Sequence, residues 1–286
     1  MRIAFSPCPN DTFVFHAWVH GLLPGAPELE IMYADIDITN TLATRPGSPE
    51  IMKISYAALP WVLSDYALIP CGGALGRGCG PLVLTAARKD NGVLSAGSPI
   101  DAASLSGRRV AVPSERSTAY LLFRLWAASN VPGGVGEIVV MPFHEIMPAV
   151  RDGLVDAGLV IHEARFTYPT YGLNQLVDLG CWWEADTGLP IPLGAIIAHR
   201  SLDLVMIRHW LRASVEYAWA HPEASRKYVL THSQELSPAV AQAHIDLYVN
   251  NFTLDLGNDG FEAVHALLGR ASQEGLVPPV DLAALR

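Results

Sequence analysis

The chain is poor in charge, and poorer still in positive charge. Only 16% of its 286 residues are Asp, Glu, Lys or Arg, and 19 basic side chains stand against 28 acidic ones, for a formal net charge of −9. Lys and Arg form no cluster. That argues against a nucleic-acid partner, whose phosphates are held by basic patches. An anionic ligand would have to be held by local donors against the overall field. No stretch reaches the roughly 18 uncharged apolar residues that cross a bilayer, so no membrane partner is expected. Met1-Arg2 runs straight into Ile3-Ala4-Phe5 with neither an apolar h-region nor a small-residue cleavage site. No secretory signal is therefore expected, and the expected location is cytoplasmic. The four cysteines, Cys8, Cys71, Cys79 and Cys181, contain no CxxC pair, so they lack metal-ligand spacing and are expected as reduced thiols. Repeats, low-complexity tracts and phosphate-binding glycine motifs are all missing.

What the chain has is apolar residues, 50% of the total, enough to bury the cores of two lobes of ordinary domain size. The first third alternates strand and helix: strands at Arg2 to Phe5, Leu29 to Tyr33, Ile51 to Ile54 and Ala67 to Pro70. A helix is expected over Asp11 to His20, capped by Asn10 or Asp11 and stopped by Gly21, and another from Tyr56 to about Tyr66. A glycine-dense stretch, Gly72 to Gly80, is either a flexible connection or a ligand contact, and a crossing strand over Pro81 to Ala87 follows it. A second alternating block predicts strands at Arg109 to Val112, Glu137 to Met141, Ala157 to Ile161 and Leu176 to Leu179. Helices are expected at Ala119 to Ala128 and His144 to Arg151. Pro190 to His199 reads as a return strand, and everything beyond Ser201 as helix, over 202–220, 223–232, 238–251 and 260–274. Alternation of this kind predicts mostly parallel sheets covered by helices. The expected architecture is α/β, a two-lobed periplasmic-binding-protein-like type II fold with a discontinuous first lobe and a C-terminal helical segment. Residues 1–86 plus 197–286 form the large lobe and 87–196 the small one, with the ligand cleft between them.

In open α/β sheets ligands sit outside the carboxyl ends of the strands. The candidate site residues follow from that rule. Ser6 to Asp11, with Asn10 and Asp11, leaves the first strand. Lys53, Ile54 and Ser55 end the third, Lys53 being either a solvated surface amine or a cleft cation. Arg77 leaves the glycine stretch. Ser117, Thr118 and Ala119 open a helix whose amides and dipole favour a carboxylate or phosphate, though the same residues also make an ordinary cap. His162 ends the apolar run Ala157 to Ile161. Imidazole titrates near neutral pH, so His162 is either a structural histidine or a general base, with Glu163 adjacent to orient it. His16 and His20 stand four residues apart on one helix face, without the acidic partner of a zinc-protease pattern, and an ordinary helix face is favoured. The remaining histidines, His244 among them, are taken as structural. Phe166, Tyr168, Tyr171, Trp182 and Trp183 pack a lobe core or form a slot for a planar ligand.

Five segments carry a resemblance. Ser6-Pro7-Cys8-Pro9-Asn10-Asp11-Thr12-Phe13, Lys53-Ile54-Ser55-Tyr56-Ala57, Gly72 to Gly78, Ser117-Thr118-Ala119-Tyr120 and Ile161-His162-Glu163-Ala164-Arg165-Phe166-Thr167-Tyr168 resemble those of the 1,4-dihydroxy-6-naphthoate synthase family of the futalosine route to menaquinone. The likeness runs on to Tyr248-Val249-Asn250. It implies a lyase converting cyclic dehypoxanthinyl futalosine to 1,4-dihydroxy-6-naphthoate with release of a three-carbon fragment, and no metal or organic cofactor. It implies His162 as general base and Lys53, Ile54, Ser55, Thr118 and Ala119 as substrate contacts. Some members of the family carry Thr where Ser117 stands. The implied partner is a small-molecule carboxylate, and a homodimer is suggested by fold analogy alone. Three alternatives share the fold. The chorismate dehydratase of the same pathway is one, and a non-enzymatic organic-anion-binding protein, which would need export, is another. The third is a stand-alone effector-binding regulator, although no helix-turn-helix segment is attached.

Overall fold

The structure, a computed structural model, describes residues 1–86, 89–90, 93–94, 101–233 and 237–285. Ala87, where the crossing strand was expected to end and the small lobe to begin, lies outside them. Two compact units are present: Met1–Cys79 with Leu189–Arg286, and Gly80–Gly188.

The first unit opens with β1 (Arg2–Phe5), α1 (Pro9–Val19), β2 (Glu30–Tyr33), α2 (Ile36–Leu42), β3 (Ile51–Ser55) and β4 (Tyr66–Gly76). The second runs through β5 (Leu82–Ala86), β6 (Lys89–Asp90), β7 (Val93–Leu94), β8 (Val110–Val112), α3 (Thr118–Asn130), β9 (Ile138–Val140), α4 (Phe143–Arg151), β10 (Ala157–Val160), α5 (Ala164–Thr167), β11 (Leu173–Asp178) and α6 (Leu179–Thr187). The chain then rejoins the first unit with β12 (Ile191–His199), α7 (Leu204–Ala220), α8 (Pro222–His232), α9 (Pro238–Tyr248), α10 (Asn251–Leu254) and α11 (Gly257–Gln273).

Each unit is built on a five-stranded sheet, ordered β2-β1-β3-β12-β4 in the first and β11-β5-β10-β8-β9 in the second. β12 runs antiparallel to β3 and β4, and β5 antiparallel to β10 and β11, while the remaining pairs are parallel. Strand pairing corrects the lobe boundaries. β5 belongs to the second sheet and all of β12 to the first, so the seams fall at Cys79/Gly80 and Gly188/Leu189 rather than at 86/87 and 196/197.

Helix α1 is buried on nearly every side, from Pro9 to Trp18. The first-unit core surrounds it: Phe5, Phe13, Phe15, Trp18 and Ile51 pack with Leu211, Val215 and Val229. A helix covered all round must find partners for its polar side chains, which sets up the candidate site below. The second core gathers Leu82, Leu84, Ala111, Ile146, Val150 and Val160.

Four local expectations change. α1 begins at Pro9 behind Cys8, so Asn10 and Asp11 sit inside the first turn and do not cap it. Proline at the first helical position is preset for that conformation. Tyr56–Trp61 is a 3-10 helix that holds Pro60, which cannot continue the α-helix expected there. The helix expected over 238–251 ends at Tyr248, because the Asn250 side chain caps a new helix, α10. Gly72 to Gly76 is strand, not loop. A Cβ on Gly73 would lie 2.7 Å from the Gly194 carbonyl oxygen of β12, so the glycines serve close strand approach. Trp183 is fully buried in the second unit, a packing role.

Replacement of Gly73 by Ala should destabilise the chain by about 1–3 kcal/mol through overpacking against β12. Urea unfolding checks this, with Gly78→Ala, which meets nothing within 4 Å, reporting only the cost of its positive φ.

Candidate functional site

In the first unit β1, β3 and β4 run in one direction, so their carboxyl ends lie along one edge of the sheet. Lys53 sits in β3 with only 3% of its surface exposed, and its ammonium is 2.5 Å from Asp11 Oδ1 on α1. Burial pushes the Asp11 carboxyl above the usual carboxylate range, opposed by the Lys53 charge and by a hydrogen bond from the Ser6 amide. Asn10 Nδ2 donates to the same Asp11 oxygen at 2.8 Å. That fixes the Asn10 amide, whose Oδ1 must then accept from His244 Nε2 at 3.0 Å. The buried chain therefore runs His244 to Asn10 to Asp11, with Lys53 converging on the carboxylate. His244 thus anchors a candidate site residue, a role its position in the C-terminal helices did not announce.

The Lys53 stem packs closely against Gly194 of β12. A Cβ on Gly194 would lie 2.6 Å from Lys53 Cε. Ser55 follows on the same face of β3 and is engaged by Asn40: its amide donates to Asn40 Oδ1 at 2.7 Å and its Oγ accepts from Asn40 Nδ2 at 2.9 Å. Ile54, fully buried, points to the opposite face, as strand alternation requires. Arg77 is exposed one residue past β4. The His16 and His20 rings lie tilted to one another at 4.5 Å beside Tyr228, and they belong to no cluster of three metal-ligating side chains among the described residues.

In the second unit β8 and β10 are parallel neighbours, so the turns that follow them lie at one sheet edge. The turn after β8 reaches Ser117, the N-cap of α3. Its Oγ accepts from the Tyr120 amide at 3.1 Å and donates to the Ser114 carbonyl at 2.9 Å. The hydroxyl hydrogen is thereby used within the loop, so Ser117 caps the helix instead of offering a donor. Thr118 and Ala119 occupy the first helical positions, and both are buried. Backbone amides there have no intrahelical acceptor and carry the positive end of the dipole.

The turn after β10 carries His162 at φ 53°. This left-handed conformation costs a residue with a Cβ about 1–2 kcal/mol. Among the described residues no other non-glycine adopts it. The Phe143 ring meets the imidazole edge-on at 5.5 Å. Glu163 is buried next to His162 and starts the short helix α5. Arg165, three residues on, donates to the Gly80 carbonyl at 2.6 Å and to Asp178 Oδ2 at 2.5 Å. No disulfide joins any of the four cysteines.

The family model for menaquinone biosynthesis matches residues 1–273. The chain belongs to the menaquinone-biosynthesis family. Among its relatives, the 1,4-dihydroxy-6-naphthoate synthase of Streptomyces coelicolor is 65% identical over 288 residues, covering 100% of this chain and 97% of the relative. That of Thermus thermophilus is 47% identical, covering 98% and 96%. A solved structure from Archaeoglobus fulgidus superposes with a TM-score of 0.84 at 33% identity, over 96% of this chain and 98% of that one. The periplasmic aliphatic sulphonate-binding protein of Escherichia coli superposes with a TM-score of 0.68 at 16% identity, over 99% and 90%. The second structure speaks for the fold alone, and the two-lobed periplasmic-binding-protein-like architecture is that fold. No helix among the described residues is long and apolar enough to cross a membrane.

Breaking the buried pair from one side should be worse than removing it. Lys53→Met or Asp11→Leu alone should lose about 3–5 kcal/mol of stability, because each leaves an uncompensated buried charge, and the double replacement should lose less than either. Denaturant unfolding of the four proteins in a double-mutant cycle reads this directly.

Proposed function

We propose that this chain is a carbon–carbon lyase that converts cyclic dehypoxanthinyl futalosine to 1,4-dihydroxy-6-naphthoate in menaquinone formation. The observation that carries the reading is end-to-end identity of 65% with a relative named for that product. The chemistry at the two sheet edges is consistent with it.

In this reading the α3 amino end, at Thr118 and Ala119, holds the substrate carboxylate, and Lys53 and Arg77 are further substrate-binding residues. Asn10 and Asp11 hold Lys53 in place, and Ile54 and Ser55 shape the strand edge beside it. Ser117 acts through the cap it forms. His162, carried on its left-handed turn, removes a proton from the sugar-derived part of the substrate. Ring opening and carbon–carbon cleavage follow, the three-carbon fragment leaves, and aromatisation to the naphthoate drives the sequence forward. A cytoplasmic setting fits a biosynthetic lyase of this kind.

The decisive experiment incubates the purified protein with cyclic dehypoxanthinyl futalosine in the presence of EDTA and follows 1,4-dihydroxy-6-naphthoate by mass. Product is expected. Folded protein that yields none from authentic substrate would overturn the assignment, and turnover of chorismate would replace it with the dehydratase. A positioned base contributes on the order of 10²–10⁴-fold, so His162→Ala should lose that factor in kcat with KM little changed. Near wild-type turnover would remove His162 from the mechanism.

A further inference from the structure

His162 adopts a backbone conformation that its own side chain disfavours, and such a conformation lasts only where neighbouring contacts over-determine it. The helix that follows, α5, spans only Ala164–Thr167. One turn of helix cannot hold a shape by itself, since nucleation alone is unfavourable. Something outside the turn must fix it.

We propose that Arg165 is the positioning residue for His162, its guanidinium fastening the histidine's turn to the sheet of the second unit. The proposal rests on the reading of His162 as the base. Arg165 is joined to His162 through the backbone, its amide donating to the His162 carbonyl at 3.3 Å. Its side chain leaves the turn and forks. Nη1 donates to the Gly80 carbonyl at 2.6 Å, and Nη2 to Asp178 Oδ2 at 2.5 Å. Gly80 lies two residues before β5 and Asp178 ends β11, and these two strands pair with each other. β5 also pairs with β10, the strand that delivers His162. The guanidinium therefore closes a ring: β10, His162, Arg165, then back through the start of β5 to β10.

Both anchors are themselves rigid. The second oxygen of Asp178 accepts from the amides of Gly180 and Cys181 at 2.8 and 3.1 Å, which caps α6. Gly80 and Gly180 touch so closely that a Cβ on Gly80 would lie 2.1 Å from the Gly180 nitrogen. The ion pair is largely out of solvent, at 18% exposure for Arg165 and 7% for Asp178. Two acceptors in fixed positions suit a planar fork of donors, and a lysine ammonium, a single point on a flexible stem, does not reproduce that geometry.

A purely structural ion pair would lower stability and leave the turnover of folded enzyme intact, so the test reads kcat on folded protein. Arg165→Lys, Arg165→Ala, Asp178→Asn and His162→Ala are assayed on the cyclic futalosine substrate at a temperature where circular dichroism shows each one folded. Misplacement of a reacting group by about 1 Å can cost 10²-fold. Arg165→Ala and Arg165→Lys should therefore lose kcat on the order of 10²-fold with KM within about threefold of wild type. Guanidinium ion at non-denaturing concentration should restore turnover in Arg165→Ala and do nothing for His162→Ala. Asp178→Asn keeps the helix cap through its one oxygen and turns an amide NH2 toward Arg165, so both the charge and the acceptor for Nη2 are lost while the Gly80 hydrogen bond stays. It should show a smaller loss of kcat, and it carries the test if the Arg165 variants do not fold. Wild-type kcat in folded Arg165→Lys or Asp178→Asn overturns the positioning role while His162→Ala remains inactive. So does a loss in Arg165→Ala that guanidinium leaves unchanged. Full turnover in His162→Ala overturns the base and with it the residue that would position it.

Discussion

A lysine ammonium lies inside the first unit, in a strand whose five residues are all buried, and much of that unit is arranged around it. Taking such a charge out of water costs several kcal/mol unless a partner and further hydrogen bonds meet it. Asp11 is the partner, and it can arrive only if α1 starts immediately over the edge of the sheet, which the Pro9 start ensures. Asp11 needs support in turn, from Asn10 and the Ser6 amide, and Asn10 leans on His244 from α9. Gly194, having no side chain, leaves room for the lysine stem against β12. A strand, a return strand and two helices are thus tied to one charge. The attraction adds little net stability once desolvation is counted. What it secures is the direction of the Lys53 side chain within the first unit.

The second unit solves its problem without a comparable central charge. Its anion-binding potential lies in the backbone, at the amino end of α3, where Ser117 folds its hydroxyl back onto the loop. Its titratable group, His162, is displayed by backbone strain. A charged pair in the same segment, Arg165 with Asp178, acts as a fastener for its turn. Charge serves direction in one unit and anchorage in the other.

The same architecture serves proteins that bind sulphonates, so the fold alone says little about chemistry. What separates this chain from such a protein is membership of the menaquinone-biosynthesis family.

Period and punctuation were enough to read most strands, the long helices, the two-lobed plan and the turns where His162 and Ser117 stand, whereas Lys53, expected to end its strand, is the middle residue of β3. These signals are local, carried by runs of apolar residues, caps and breaks, and a strand's exit follows directly from its end. The 3-10 turn at Tyr56–Trp61 was marked by Pro60 and could have been read as well. The partners were not legible. His244 lies 234 residues from Asn10, and Arg165 lies 85 from Gly80, and no periodicity encodes which distant side chain will meet a buried polar group. The glycines of 72–76 look the same in a loop as in a strand, because their meaning depends on β12 passing within contact of them. Sequence alone determined where most strands and the long helices run, since that follows from local pattern. The tertiary structure alone decided which residues are held, aimed or strained, since those properties belong to pairs of residues that only folding brings together.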